Sequence, residues 1–476
     1  MDLPPLTRTP LTRTPVATDP DGFDRPDGPD GPGAPATLLR LATAGSVDDG
    51  KSTLVGRLLH DSHAVLADQL AAVARASRER GLAAADLALL TDGLRAEREQ
   101  GITIDVAHRY FATARRRFIL ADTPGHVQYT RNMVTGASTA DLAVVLVDAR
   151  GRVREQTRRH LAVAALLRVP RLVLAVNKMD LVGHAEPVFA AVALECAGYA
   201  AELGVRDLLA IPISALNGDN VVHPSASMDW YSGPTLLEHL ESVEVDEDPQ
   251  RLPMRFPVQC VVRAPESGPR HGTSVSGVSG VSSESGVAGG YRGYAGRVAS
   301  GVVRLGDPVV VLPSGRTSTV VGIDRMDQEN AELAVADQSV TLRLADDLDV
   351  GRGDLIAPVD CAPPVGREFT ATVCHLDARP LRAGDQVLLR QQTALVRAVV
   401  RSLDARLDLT TLAALPVPTA LEANDIGQIT LATAEALPLD EYRDNRRTGA
   451  FLLIDPADGS TLTAGMVGGL VPGGRP

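Results

Sequence analysis

Lysine is almost absent from this chain. All but two of its 47 basic residues are arginine, and the exceptions are Lys51 and Lys178. Arginine and lysine are not interchangeable, so these two positions mark places where a compact ammonium is needed and a guanidinium does not serve. Aromatic residues are scarce as well, 3% of a chain that is 44% hydrophobic, so its cores must be built from Ala, Val and Leu. Cysteine is sparse: Cys196, Cys260, Cys361 and Cys374 stand too far apart for a metal knuckle or a redox pair. The expectation is four buried apolar thiols in a reducing compartment. No apolar run approaches the roughly 20 residues of a membrane span, and the N-terminus has no apolar signal core. These absences point to a cytoplasmic protein without membrane contact. A net charge of −12 argues against a surface given over to nucleic acid.

A length of 476 residues favours two to four domains. Residues 1–36 are rich in Pro, Asp and Gly and repeat LTRTP in tandem, which predicts a disordered tail. From 37 to 250, apolar runs alternate with Ala- and Leu-rich helical stretches. The runs are LLRLATAG (38–45), RFILAD (117–122), DLAVVLVDA (141–149), RLVLAVN (171–177) and LLAIPISA (208–215). This predicts an α/β domain, a mostly parallel sheet with helices on both faces. RYFAT (109–113) ahead of RFILAD adds an antiparallel edge hairpin with its turn near Ala114–Arg116. Beyond residue 250, short Val-rich strands alternate with Gly, Asp and Pro turns. Two small β-barrels are expected, at 251–362 and 363–476, the first interrupted by a flexible Ser/Gly insert at 265–290.

The chemistry-bearing motifs lie in the α/β region. Gly45-Ser46-Val47-Asp48-Asp49-Gly50-Lys51-Ser52 follows a predicted strand and precedes a predicted helix, the context a P-loop requires. Its glycines let backbone amides wrap an oligophosphate at a helix N-terminus. Lys51 would reach the β- and γ-phosphates, and the Ser52 hydroxyl would face Mg2+. Asp122-Thr123-Pro124-Gly125-His126 closes the next apolar strand. There Asp122 is placed to hold Mg2+ through water, the Gly125 amide to sense a γ-phosphate, and His126 to position a water. Asn177-Lys178-Met179-Asp180 ends a third strand, and Ser214-Ala215-Leu216 follows the last. The Asp180 carboxylate can accept from guanine N1–H and the exocyclic amine, a pair of donors that adenine does not offer. The Lys178 stem can lie across the base. Gly101-Ile102-Thr103 precedes the hairpin, where Thr103 would join the Mg2+ ligands and Arg98–Thr103 would act as a switch. Both lysines therefore fall in nucleotide motifs. With no lysine after Lys178, no second lysine-bearing P-loop is expected.

The ordered set is that of the translation-factor class of GTPases. Within it the chain resembles the large, GTPase subunit of bacterial sulfate adenylyltransferase. The resemblance rests on SVDDGKSTLVGRLLHDS (46–62), LTDGLRAEREQGITIDVAHRYF (90–111), DTPGHVQYTRNMVTGASTADLAVVLVDAR (122–150) and MDWYSGPTLLEHLE (228–241). RGYAGRVASGVVRLGDPVVVLPSGR (292–316) carries it into the first barrel, and LEANDIGQITLATAEAL (421–437) is its best piece in the last domain. Asp49 stands where elongation factors of the Tu type usually have His or Ser.

The resemblance implies a heterodimer. A smaller partner would join ATP and sulfate into adenosine 5′-phosphosulfate and diphosphate, and GTP hydrolysis on this chain would drive that uphill step. The adenylylsulfate kinase fused to some relatives is expected to be missing. The other reading, an elongation-factor-like GTPase carrying aminoacyl-tRNA, finds little support in residues 251–476, where 22 Arg face 26 Asp and Glu without a basic run.

Overall fold

The structure, a computed structural model, describes residues 37–46, 48–62, 65, 67–79, 87–90, 107–123, 130–151, 153–205, 207–244, 249–263, 291–326, 328–409, 411–415 and 418–469. The tail at 1–36, the 265–290 insert and the proposed switch at 98–103 lie outside these residues.

The α/β part is a six-stranded sheet. Its strands are β1 (Thr37–Gly45), β2 (Ala107–Ala112), β3 (Arg116–Asp122), β4 (Leu142–Asp148), β5 (Arg171–Asn177) and β6 (Leu208–Pro212), in the order β2-β3-β1-β4-β5-β6. All neighbours are parallel except the β2–β3 hairpin. Arg116 already belongs to β3, so the turn is Thr113–Arg115. The helices are α1 (Lys51–Asp61), α2 (Ala67–Glu79), α3 (Thr130–Ser138), α4 (Glu155–Leu166), α5 (Glu186–Glu202) and α6 (Leu236–Ser242).

The alternation along β4 explains the layering. Leu142, Val144 and Leu146 face one core with Leu54 and Leu58 of α1 and Leu236 and Leu240 of α6. Ala143, Val145 and Val147 face the other core with Met133 of α3, Leu161 of α4 and Cys196 of α5. A strand covered on both faces reads as a continuous apolar run, which is how LAVVLVD reads. Thr235 caps α6 by accepting from the Glu238 amide, while the Glu238 carboxylate accepts from the Thr235 amide.

Two barrels follow. The first contains β7 (Phe256–Arg263), β8 (Arg292–Arg297), β9 (Val302–Arg304), β10 (Pro308–Leu312), β11 (Arg316–Asp324), β12 (Leu333–Val335), β13 (Ser339–Leu344) and β14 (Leu355–Pro358), and closes as β10-β11-β13-β8-β7-β14. The second contains β15 (Val365–His375), β16 (Gln386–Gln391), β17 (Ala394–Leu407), β18 (Ala414–Leu415), β19 (Ile426–Pro438), β20 (Ala450–Ile454) and β21 (Thr461–Val467). Its order β16-β20-β21-β15-β19-β17 closes through the β16–β17 pairing.

The second barrel shares a core with the α/β domain. Cys374, Leu407, Ile426, Tyr442 and Met466 pack in the same cluster as Leu161 and Cys196. Tyr442 donates to the Leu167 carbonyl (2.9 Å) and Tyr199 to the Leu409 carbonyl (2.8 Å). The first barrel is tied to the second by polar contacts, led by the buried Arg255–Asp440 pair at 2.9 Å to both carboxylate oxygens. The expectation of four buried thiols is corrected. Cys196 and Cys374 are buried, but Cys260 and Cys361 are exposed, because Cys260 sits on the outward side of β7 and Cys361 follows the end of β14.

Candidate functional site

The parallel strands deliver their C-terminal ends to one edge of the sheet, where α/β folds bind ligands. Gly45 ends β1, Asp122 ends β3, Asp148 ends β4, Asn177 ends β5, and Ser214 follows β6.

The loop after β1 turns on two left-handed residues, Asp48 (φ 67°) and Gly50 (φ 91°). Gly50 has a second reason to be glycine: a Cβ there would collide with the side-chain amide of Asn177. Asp49 folds back to accept from the Ser46 amide (2.6 Å), so its carboxylate fastens the loop from within. Burial pushes its pKa up, partly opposed by that amide and by Lys51. Lys51, only 7% exposed, donates to the carbonyls of Gly45 (2.7 Å) and Ser46 (2.9 Å). Burial lowers its pKa, and Asp122, Asp49 and Asp48 counter by favouring the ammonium. Ser52, half-buried, follows in the first turn of α1.

Asp122 is buried at the end of β3 and accepts from the Thr43 hydroxyl (3.0 Å), while Thr123 donates to the Thr43 carbonyl (2.6 Å). Val47, Thr103, Pro124, Gly125 and His126, all expected at the site, lie outside the described residues.

Asn177 joins the two halves. Its amide donates to the Asp49 carbonyl (2.7 Å) and its oxygen accepts from the Ala215 amide (2.9 Å). Lys178, left-handed at φ 66°, donates to the Asp48 carbonyl and pairs with the Asp148 carboxylate at 3.0 Å. Met179 is buried and anchors the segment. Asp180 accepts from the Ser214 hydroxyl (2.7 Å), which also receives the Asn217 amide (3.2 Å). The Leu216 side chain is 66% exposed, while its carbonyl accepts from Arg57. Among the expected residues that are described, the loop after β1, Asp122, the β5 segment and the loop after β6 thus come together at one edge.

Residues 36–245 match the family described as the elongation factor Tu GTP binding domain. Residues 368–468 match the GTP-eEF1A C-terminal domain-like family. A sulfate adenylyltransferase subunit 1 from Bacteroides fragilis is 46% identical over 432 residues, 90% of this chain and 86% of that protein. The chain belongs to the sulfate adenylyltransferase subunit 1 family. Another member, from Cellvibrio japonicus, is 45% identical over 90% of this chain and 86% of its own length. A bifunctional enzyme CysN/CysC from Mycobacterium tuberculosis is 53% identical over 90% of this chain and 67% of its own length.

In this member of the family, sequence reasoning missed three supports of the site, Thr43, Asp148 and Arg57, and a buried histidine nearby. Thr43 holds Asp122, and Asp148 holds Lys178. Burial alone would raise the Asp148 carboxyl, but hydrogen bonds from Arg150 and Lys178 outweigh it and hold the group well below its ordinary range. Arg57 of α1 donates to the Ala215 carbonyl (3.2 Å) and to that of Leu216. His160 of α4 is buried and pushed down to about 3 by burial and by the Lys51 and Arg159 charges, so it stays neutral, sharing a 2.9 Å bond with Gln156. Only Asp148 had a signal, the polar end of an apolar strand.

Proposed function

We propose that this chain binds GTP with Mg2+, hydrolyses it, and couples the hydrolysis to a partner subunit that joins ATP and sulfate into adenosine 5′-phosphosulfate and diphosphate. The observation that carries the nucleotide reading is Asp180. Its carboxylate is oriented by Ser214 in a segment that Asn177 pins to the loop after β1. That arrangement suits two adjacent N–H donors on guanine and offers adenine nothing comparable.

The residues present fit a nucleoside triphosphate. A buried ammonium and the amides opening α1 suit an anion, and Gly50 leaves room for the Asn177 amide that braces the loop. Lys51 would hold the β- and γ-phosphates, and the base would lie between the Lys178 stem and the Ser214–Leu216 loop. Ser52, Thr103 and, through water, Asp122 would hold the cation, which supplies charge neutralisation at the phosphates when bound. Asp122 is preset for that role by Thr43. His126 would position the attacking water, and the 98–103 segment would report the γ-phosphate.

The three parts divide the work as 37–250 for nucleotide, 251–362 and 363–476 for holding the partner. That partner is a smaller adenylyl-transferring subunit in a heterodimer, and ATP and sulfate act there. We read the assembly as cytoplasmic and free of membrane and nucleic acid. Among the described residues no helix is long and apolar enough to cross a membrane. The elongation-factor reading shares the fold and is supported by nothing beyond it.

The test is reconstitution with the smaller subunit and measurement of sulfate-dependent diphosphate release. The reading expects release to rise with GTP and to fall back with a non-hydrolysable analogue. Release indifferent to GTP would contradict it.

A further inference from the structure

The second barrel carries an outward patch that the nucleotide site does not use. Val387 and Leu389 of β16 and Val396, Ala398 and Val400 of β17 point into the barrel core. Their alternates therefore point out: Leu388 and Arg390 on β16, and Leu395, Arg397 and Val399 on β17. Arg390 lies directly between Leu452 of β20 and Leu395, and Leu388 is paired with Arg397. Arg401 emerges from the bulge that follows Val400. Leu395 is 56% exposed and Leu452 37%, unusual values for leucines in register on a sheet.

The three arginines have no ion pair or side-chain hydrogen bond among the described residues. Elsewhere on the same barrel Arg379 is answered by Asp377 and Asp455, and Arg406 by Asp425, while Arg367 and Arg382 stand apart from one another without a carboxylate among the described residues. What distinguishes Arg390, Arg397 and Arg401 is that they lie together on one face with exposed leucines between them. Leucines between the charges form the apolar centre that protein interfaces use, with arginine as the preferred charged residue. A phosphate backbone would call instead for an uninterrupted run of cations.

The patch also adjoins surfaces already in contact. Leu452 pairs across to Ala464 of β21, which packs against the core shared with the α/β domain. Beside Leu395, Ala394 sits so close to Gly353 of the first barrel that a Cβ on Gly353 would lie 3.3 Å from its Cα.

We propose that the outer face of β16–β17, centred on Leu388 and Leu395 and charged by Arg390, Arg397 and Arg401, docks an acidic, apolar-centred surface of the smaller adenylyl-transferring subunit. The choice of occupant rests on the function proposed above. A protein seated there touches the barrel that shares its core with the nucleotide domain, so the patch places the two chemistries on one rigid support.

The test uses the full chain and the smaller subunit from the same source, with the dissociation constant measured by calorimetry. The R390E/R397E/R401E variant should bind the subunit about 100-fold more weakly, and Leu395→Ala should show a smaller loss. Both should bind guanine nucleotide as the unaltered chain does. The wild-type complex should weaken with salt. A triple Arg→Gln variant gives the same reading should charge reversal disturb folding. Equal affinity of variant and wild type would overturn the patch and leave the proposed function standing. The patch would equally be overturned if the variant lost RNA binding while keeping its affinity for the subunit. Failure of the unaltered chain to bind the subunit would overturn both proposals.

Discussion

The two ends of the proposed nucleotide site are built on opposite physical plans. At the phosphate end the chain buries charge. Lys51 is 7% exposed, Asp49 3% and Asp122 1%, and each is fixed by hydrogen bonds inside the same small region. At the base end the carboxylate proposed to read the base, Asp180, stays half-buried, and order comes from a relay of neutral and charged bonds, Ser214 to Asp180, Ala215 to Asn177, Lys178 to Asp148. The buried end supplies strength, since charges in a low-dielectric site act strongly on a bound anion. On the proposed reading the relay would supply discrimination, since it fixes the direction of one acceptor without large charge density. Asn177 and Lys178 both bond across the two ends, Asn177 to the Asp49 carbonyl and the Ala215 amide, Lys178 to the Asp48 carbonyl and the Asp148 carboxylate.

The contrast can be broken from the phosphate end first. Lys51→Ala removes the one cation inside the cradle and should weaken GTP about 1000-fold or more, measured by direct titration. The fold should survive, because the ammonium bonds only to loop carbonyls. Asp180→Asn attacks the base end. It should lose about 100-fold in GTP affinity, two charge-assisted bonds being weakened, and shift preference toward xanthine nucleotides. A competition assay reads both effects, and retained guanine selectivity would remove Asp180 from its role.

Asn177→Ala cuts the joint. It leaves the Asp49 carbonyl and the Ala215 amide without their partner, at a cost of about 1–3 kcal/mol for each buried group left unmade. Denaturant unfolding should show that loss in the absence of nucleotide, unlike for the two preceding variants. The smallest effect is expected at Asp148→Asn, a several-fold weakening of GTP through looser Lys178. The pH dependence has a sign. The Asp148 carboxyl is held below its ordinary value of 3.8, so its contribution is present above that value and fades as pH falls below it. The stability gap between wild type and Asp148→Asn should therefore close in acid, as followed by thermal melts across pH.

Much of this was legible in the residues. The strands of the sheet read correctly because both faces are covered, leaving unbroken apolar runs such as RLVLAVN. The barrels read from Val-rich segments between Gly and Asp turns. That the 177–180 segment and the loop after β1 meet at one edge was legible because their spacing is set by strand ends, which sequence displays. What stayed hidden are contacts between strands distant in the chain. Thr43 reaches Asp122 across 79 positions, and Arg57 reaches Leu216 across 159. Neither residue type nor spacing announces such a partner before the sheet order is known. The shared core between the α/β domain and the second barrel was hidden for the same reason. Leu407 and Met466 look like ordinary barrel residues until Leu161 and Cys196 are seen beside them. Exposure misled in the other direction at Cys260, which a register shift after Val258 turns outward against the alternation set by Phe256 and Val258.

The central claim is that this site selects guanine while gripping a triphosphate through a single buried ammonium. Isothermal titration of the folded chain with GTP and with ATP, in the presence of Mg2+, tests it most directly. Saturable GTP binding at least about 100-fold tighter than ATP is the result predicted, in line with two charge-assisted bonds to the base. Equal affinities for the two nucleotides, or no binding of either, would contradict it.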